Sequence, residues 1–155
     1  MQVSHCIIYA VLFFFCLPFI CQANALIYPV CEMVSPEQLA ALYPSPLYPS
    51  QQKNGCRWSD KPNGRAYFQI GIIENSKNLR QFFEKQLPSG YHLEKIKDIG
   101  NRGLYTQSNG YLSVVAIRQG NWVLVSTVDL LYIKMGDGRQ NQLWDIFRGI
   151  LKSLK

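Results

Sequence analysis

At 155 residues the chain has room for one domain and a leader. Its 16 Lys and Arg against 10 Asp and Glu leave a net charge of +6. The basic residues are scattered from Lys53 to Lys155 without a run. That argues against nucleic-acid binding and keeps contact with an anionic surface open.

Residues 7–20, IIYAVLFFFCLPFI, form an apolar run of signal-peptide length, too short to span a membrane comfortably. Ala23-Asn24-Ala25 follows as a small-x-small cleavage site, so 1–25 read as a signal peptide and Leu26 as the mature start. No small residue precedes Cys16 or Cys21, which argues against a lipoprotein. No second long apolar stretch follows, so 26–155 is expected to be one domain without a transmembrane segment, periplasmic or secreted.

Cleavage removes Cys6, Cys16 and Cys21 and leaves Cys31 and Cys56, an even pair in an oxidising compartment. A disulfide between them is the natural inference, contributing roughly 3 kcal/mol in the chain-entropy account. A redox or metal site is disfavoured. The spacing is far from C-x-x-C, and His92 is the single mature histidine.

Ser35, Pro36 and Gln38 have the spacing of a capping box with proline at the first helical position. The helix they open runs through Leu42, and Pro44 stops it. Residues 43–55, YPSPLYPSQQKNG, are expected to be a stiff, extended loop carrying Tyr43, Leu47 and Tyr48. Pinned by Cys56, this loop is either a recognition surface or a staple whose aromatics pack on the sheet.

Arg57–Asp60 and Arg65–Glu74 read as a hairpin around Lys61-Pro62-Asn63-Gly64. Phe68, Ile70 and Ile72 should face the core, with Tyr67 and Gln69 opposite. A second helix, capped at Asn75 or Ser76, is predicted to about Leu87. Residues 91–103 are charged and weakly patterned.

The richest stretch is 104–133. Asn109-Gly110 is a strong type I′ hairpin signal and Gly120-Asn121 a weaker one, so an antiparallel three-stranded meander is expected. Two-residue loops would pair Thr106 with Ser113, Leu104 with Val115, Ile117 with Leu124 and Val115 with Ser126. Leu112, Val114, Val123 and Val125 then share a face with Tyr105, and neither face is polar. Either both faces are covered, or one is an apolar patch open to a partner. Met135–Arg139 reads as a turn. Leu143, Ile146, Phe147, Ile150, Leu151 and Leu154 form the stripe of a long last helix.

The expected fold is therefore α+β: an antiparallel sheet, hairpin plus three-stranded meander, packed with two short helices and a long C-terminal helix. With Cys31–Glu37, Gly55-Cys56-Arg57-Trp58 and Ile99–Tyr105, this order resembles the small exported bacterial domains typified by LpqN. Those are similar in turn to the PsbP- and Mog-type α/β/α sandwiches. The resemblance spans roughly 31–154 and implies binding at the cell envelope, not catalysis. Its motifs are structural and bring no functional residue.

Catalytic constellations are weak. No G-x-S-x-G accompanies His92, and Glu94 and Asp98, a turn apart if helical, have Lys95 and Lys97 beside them. Gly136-Asp137-Gly138 lacks the rest of a phosphate loop, and Asp137 alone cannot hold Ca²⁺. Catalytic, cofactor and metal residues are accordingly expected to be none. The function expected is an exported, disulfide-stapled, non-catalytic binding or assembly module of the bacterial envelope, meeting an envelope or extracellular protein. Its candidate surface is Tyr43, Leu47, Tyr48, Leu112, Val114, Val123 and Val125. The alternatives are a small envelope enzyme with an unrecognised site and a binder of an anionic lipid or polymer.

Overall fold

The computed structural model describes residues 28–74, 78–81, 87, 91–128 and 131–154. The expected signal peptide and most of the second helix lie outside the described residues, although 79–81 are helical. The chain is mixed α+β around an antiparallel sheet. Helix α1 (Pro36–Leu42) is followed by β1 (Tyr48–Gln52), β2 (Gly55–Ser59) and β3 (Ala66–Glu74). The chain then crosses to the opposite edge for β4 (Glu94–Ile96), β5 (Arg102–Ser108), β6 (Tyr111–Gln119) and β7 (Trp122–Val128). Helix α2 (Gly138–Ser153) comes last. Seven strands order as β1-β2-β3-β7-β6-β5-β4, so the meander closes against the first hairpin through β3 and β7.

The larger core lies on one face of the sheet. Trp58, Phe68, Ile70, Val115, Ile117 and Leu124 meet the buried stripe of α2, led by Leu143, Phe147 and Ile150. The opposite face carries a smaller cluster in which Leu79 covers Leu104, Ala116 and Val123. Both faces are therefore buried over their middles, the first of the two alternatives left open by the apolar patterning.

Two β-bulges correct the expected alternation. In β6 the pairing passes from Thr106–Val114 to Gln107–Leu112, leaving Ser113 as the extra residue. The Val114 N–H, displaced from the ladder, donates to Thr106 Oγ1 at 3.3 Å. A one-residue slip reverses every side chain beyond it. Tyr105 and Leu112 therefore join Val115 in the larger core, and Leu104 faces the other way. The Gly120-Asn121 register stands as expected, with Ile117 opposite Leu124 and Val115 opposite Ser126. In the first hairpin the pairs Trp58–Phe68 and Ser59–Ala66 leave Tyr67 as the extra residue. Tyr67 was expected opposite the core; the bulge turns it against the larger cluster.

Two strands lie where the sequence showed no strand pattern. Part of the Pro-rich segment, Tyr48–Gln52, is an exposed edge strand on β2, an edge position being one where proline does no harm to the ladder. Within 91–103, Glu94–Ile96 pair with β5 as the other edge, so Glu94 and Asp98 are not a helical turn apart.

Candidate functional site

Beside β1 and β2 a cleft of about 630 Å³ opens between α1, the loop at 44–47 and the turn holding Cys31. Its walls are set by local chemistry. Ser35 accepts from the Gln38 N–H while the Gln38 side chain accepts from the Ser35 N–H, fixing the start of α1. The Cys31–Cys56 disulfide, Cα atoms 5.0 Å apart, ties the preceding turn to β2. Gln51 accepts from the Cys31 N–H and donates to the Tyr28 carbonyl, a second tie between that arm and β1. Pro44, Pro46 and Pro49 stiffen the remaining wall.

Trp58 lines the cleft and is fully buried, stacked on Phe68 with ring centres 4.5 Å apart. Its indole N–H is buried without a hydrogen-bond partner among the described residues. A buried donor left unmatched is disfavoured by about 1–3 kcal/mol, so a group offering an oxygen there would be welcome. The rest of the lining is mostly apolar, with Val34, Leu39 and Leu47 prominent and Glu32 its single charge.

Tyr43 links the cleft to the end of the sheet. Its hydroxyl shares a 3.0 Å hydrogen bond with that of Tyr67, with ring centres 4.6 Å apart. That bond, together with desolvation, pushes the Tyr67 phenol up to about 12.

The expected surface residues separate into two groups. Tyr43 and Leu47 line the cleft, and Tyr48, 48 % exposed, begins the edge strand outside it. Leu112 and Val123 are buried, and Val114 and Val125 are half-buried in the cluster beneath Leu79. The expectation of a partner surface is corrected at Leu112 and Val123, which the bulge at Ser113 and the segment carrying Leu79 place within the protein. Sequence reasoning missed Trp58 and Ala40 as cleft residues, because they lie on separate elements, β2 and α1, that only the folded chain brings to one cleft. The apolar–polar–apolar order Cys56-Arg57-Trp58 would have marked Trp58 as inward, but not which cavity it lines.

Of the two carboxylates, Glu94 has structural partners. Glu94 accepts from the Tyr105 hydroxyl at 2.5 Å and from Gln107 Nε2 at 2.6 Å. Asp98 occupies a left-handed turn position at φ 64°. Among the described residues no three His, Cys, Asp or Glu are grouped as a metal site would need. Among them, too, no helix is long and apolar enough to cross a membrane. The chain matches no protein-family model, no curated protein and no solved structure.

Proposed function

We propose that the protein is an exported, non-catalytic binding module of the bacterial envelope that takes an apolar, basic segment of a protein partner into the α1 cleft. The carrying observation is the cleft itself. Its volume falls within the range of about 300–1,000 Å³ usual for binding sites, and its walls are stiff before anything binds. Pre-ordered walls lower the entropy cost of association. Charge favours the occupant named. Residues 28–52 contain Glu32 and Glu37 and no Lys or Arg, so the cleft is an acidic lip on a chain of net +6. The apolar leader, the two mature cysteines and the resemblance to small exported domains support the location.

Ala40 provides the test, because it lines the cleft yet is exposed and carries no core packing. A photo-reactive residue at position 40 would capture the partner from envelope extract. The captured protein is then purified and titrated against the wild type and Ala40→Arg. The larger, cationic side chain should weaken binding about tenfold or more, roughly 1.4 kcal/mol, with no change in melting temperature. Equal affinities for the two proteins would remove the cleft from the reading.

A further inference from the structure

The antiparallel order brings the start of β1, the end of β2, the start of β3, the end of β5 and the start of β6 to one end of the sheet. Tyr48, Tyr67 and Tyr111 gather there, and Tyr132 joins them because Lys134 bridges to Tyr111. Tyr132 is 58 % exposed and Tyr111 is 41 % exposed, with ring centres 6.0 Å apart and planes at 84°. The two rings form an open right-angled corner with the Lys134 side chain beside Tyr111, since bridged residues of antiparallel strands point the same way.

The way Tyr132 is held separates this corner from incidental exposure. Its φ is +48°, a left-handed conformation that a bulky side chain rarely adopts. The surroundings enforce it. Leu131 and Ile133 on either side are buried, so the residue between them is driven outward. Arg139 donates to the carbonyls of Leu131 and Tyr132 at 3.1 and 3.2 Å, and Asp137 pairs with the same guanidinium at 3.2 Å. Glycine or asparagine would make this turn with less strain. The chain instead mounts a tyrosine whose ring returns little packing. Packing therefore explains the backbone and leaves the ring unexplained.

From this geometry we infer a second binding site, the Tyr111–Tyr132 corner with Lys134, which takes an acidic sugar unit of an envelope polysaccharide. The C–H face of a pyranose is weakly positive and lies against the negative face of an aromatic ring. A perpendicular second ring holds the sugar's edge, and the ammonium of Lys134 meets its carboxylate through a charge-assisted hydrogen bond. The excess positive charge of residues 53–155 favours an acidic glycan over a neutral one.

Affinity electrophoresis of the purified protein tests this in gels holding polygalacturonate, its methyl ester or polyglutamate. The ester keeps the sugar without the charge, and polyglutamate keeps the charge without the sugar. The wild type should be retarded most by polygalacturonate. Tyr132→Asn suits the left-handed backbone and leaves the net charge unchanged, so it should bind about tenfold more weakly with no fall in melting temperature. Tyr111→Ser should do the same should Tyr132→Asn fail to fold. Lys134→Gln should lose the preference over the ester, whereas Lys152→Gln on α2, equal in charge change, should retain it. Equal retardation by polyglutamate, wild-type retardation of both tyrosine variants, or no retardation of the wild type overturns the proposal. The last outcome would leave the corner to a protein contact. Ala40→Arg should bind the glycan as the wild type does, so the two sites can fail separately.

Discussion

Tyr105 shows how one phenol can tie folding to pH. Its ring is buried in the larger core while its hydroxyl holds Glu94. Burial first, and the bond to the carboxylate second, push it up to about 12 from an ordinary value of 10.0. The folded state thus keeps a proton that the unfolded chain gives up earlier. Stability from this source is complete below pH 10 and declines as pH rises from there through about 12. Tyr67, also raised to about 12, acts with the same sign. Urea midpoints measured across this range should fall, and Tyr105→Phe should flatten the fall. At neutral pH that variant should be less stable by about 1 kcal/mol, the usual worth of a hydrogen bond. An unchanged alkaline slope in Tyr105→Phe would assign the titration elsewhere.

Among elements, the contrast between what was legible and what was not follows from how local each cause is. The Asn109-Gly110 turn, the Ser35 capping box and the apolar stripe of α2 are decided by residues within a few positions of one another. All three can be read directly from the chain. The bulges at Ser113 and Tyr67 cannot, since a period of two assumes that no residue is skipped. Strand β1 is also hidden, because a Pro-rich run becomes a strand only when β2 lies beside it. The site divides along the same line. Tyr43, Leu47 and the cysteine pair announced themselves by composition, whereas Trp58 and the Tyr111–Tyr132 corner needed the strand order. Val123 sharpens the point. Placed on a candidate open face by the period of two, it is fully buried beneath Leu79. Val123→Lys should therefore destabilise the fold by roughly 3–5 kcal/mol, because the ammonium has no partner there. Val125→Lys, half-buried, should cost less as its stem reaches toward water. Thermal melts followed by far-UV circular dichroism distinguish the two; a Val123→Lys melt like the wild type's would reopen that face as a surface.

At the scale of the whole molecule, the arm from Tyr28 to Val34 is attached to the sheet at its start and its middle. Tyr28 packs edge-on against Trp122, Gln51 holds the Tyr28 carbonyl and the Cys31 N–H, and the disulfide joins Cys31 to Cys56 across 25 residues. The covalent tie is the one that does not loosen thermally, and Cys31 and Glu32 are themselves cleft wall. The sheet does not depend on it, because β2–β3, β3–β7 and the meander pair through their own ladders. Opening the bond should consequently act on stability and on the cleft by different amounts. The double variant Cys31→Ala, Cys56→Ala should lose about 2–5 kcal/mol while keeping its far-UV circular dichroism. With the arm freed, the acidic lip no longer faces α1 in one arrangement, and the cleft's partner should bind about tenfold more weakly even well below the melting temperature. Retardation by polygalacturonate, which uses the end of the sheet held by Arg139, should stay at the wild-type level. If the double variant binds the cleft's partner as tightly as the wild type, the arm is a brace for folding alone. In that case the binding wall reduces to α1 and the prolines of the loop.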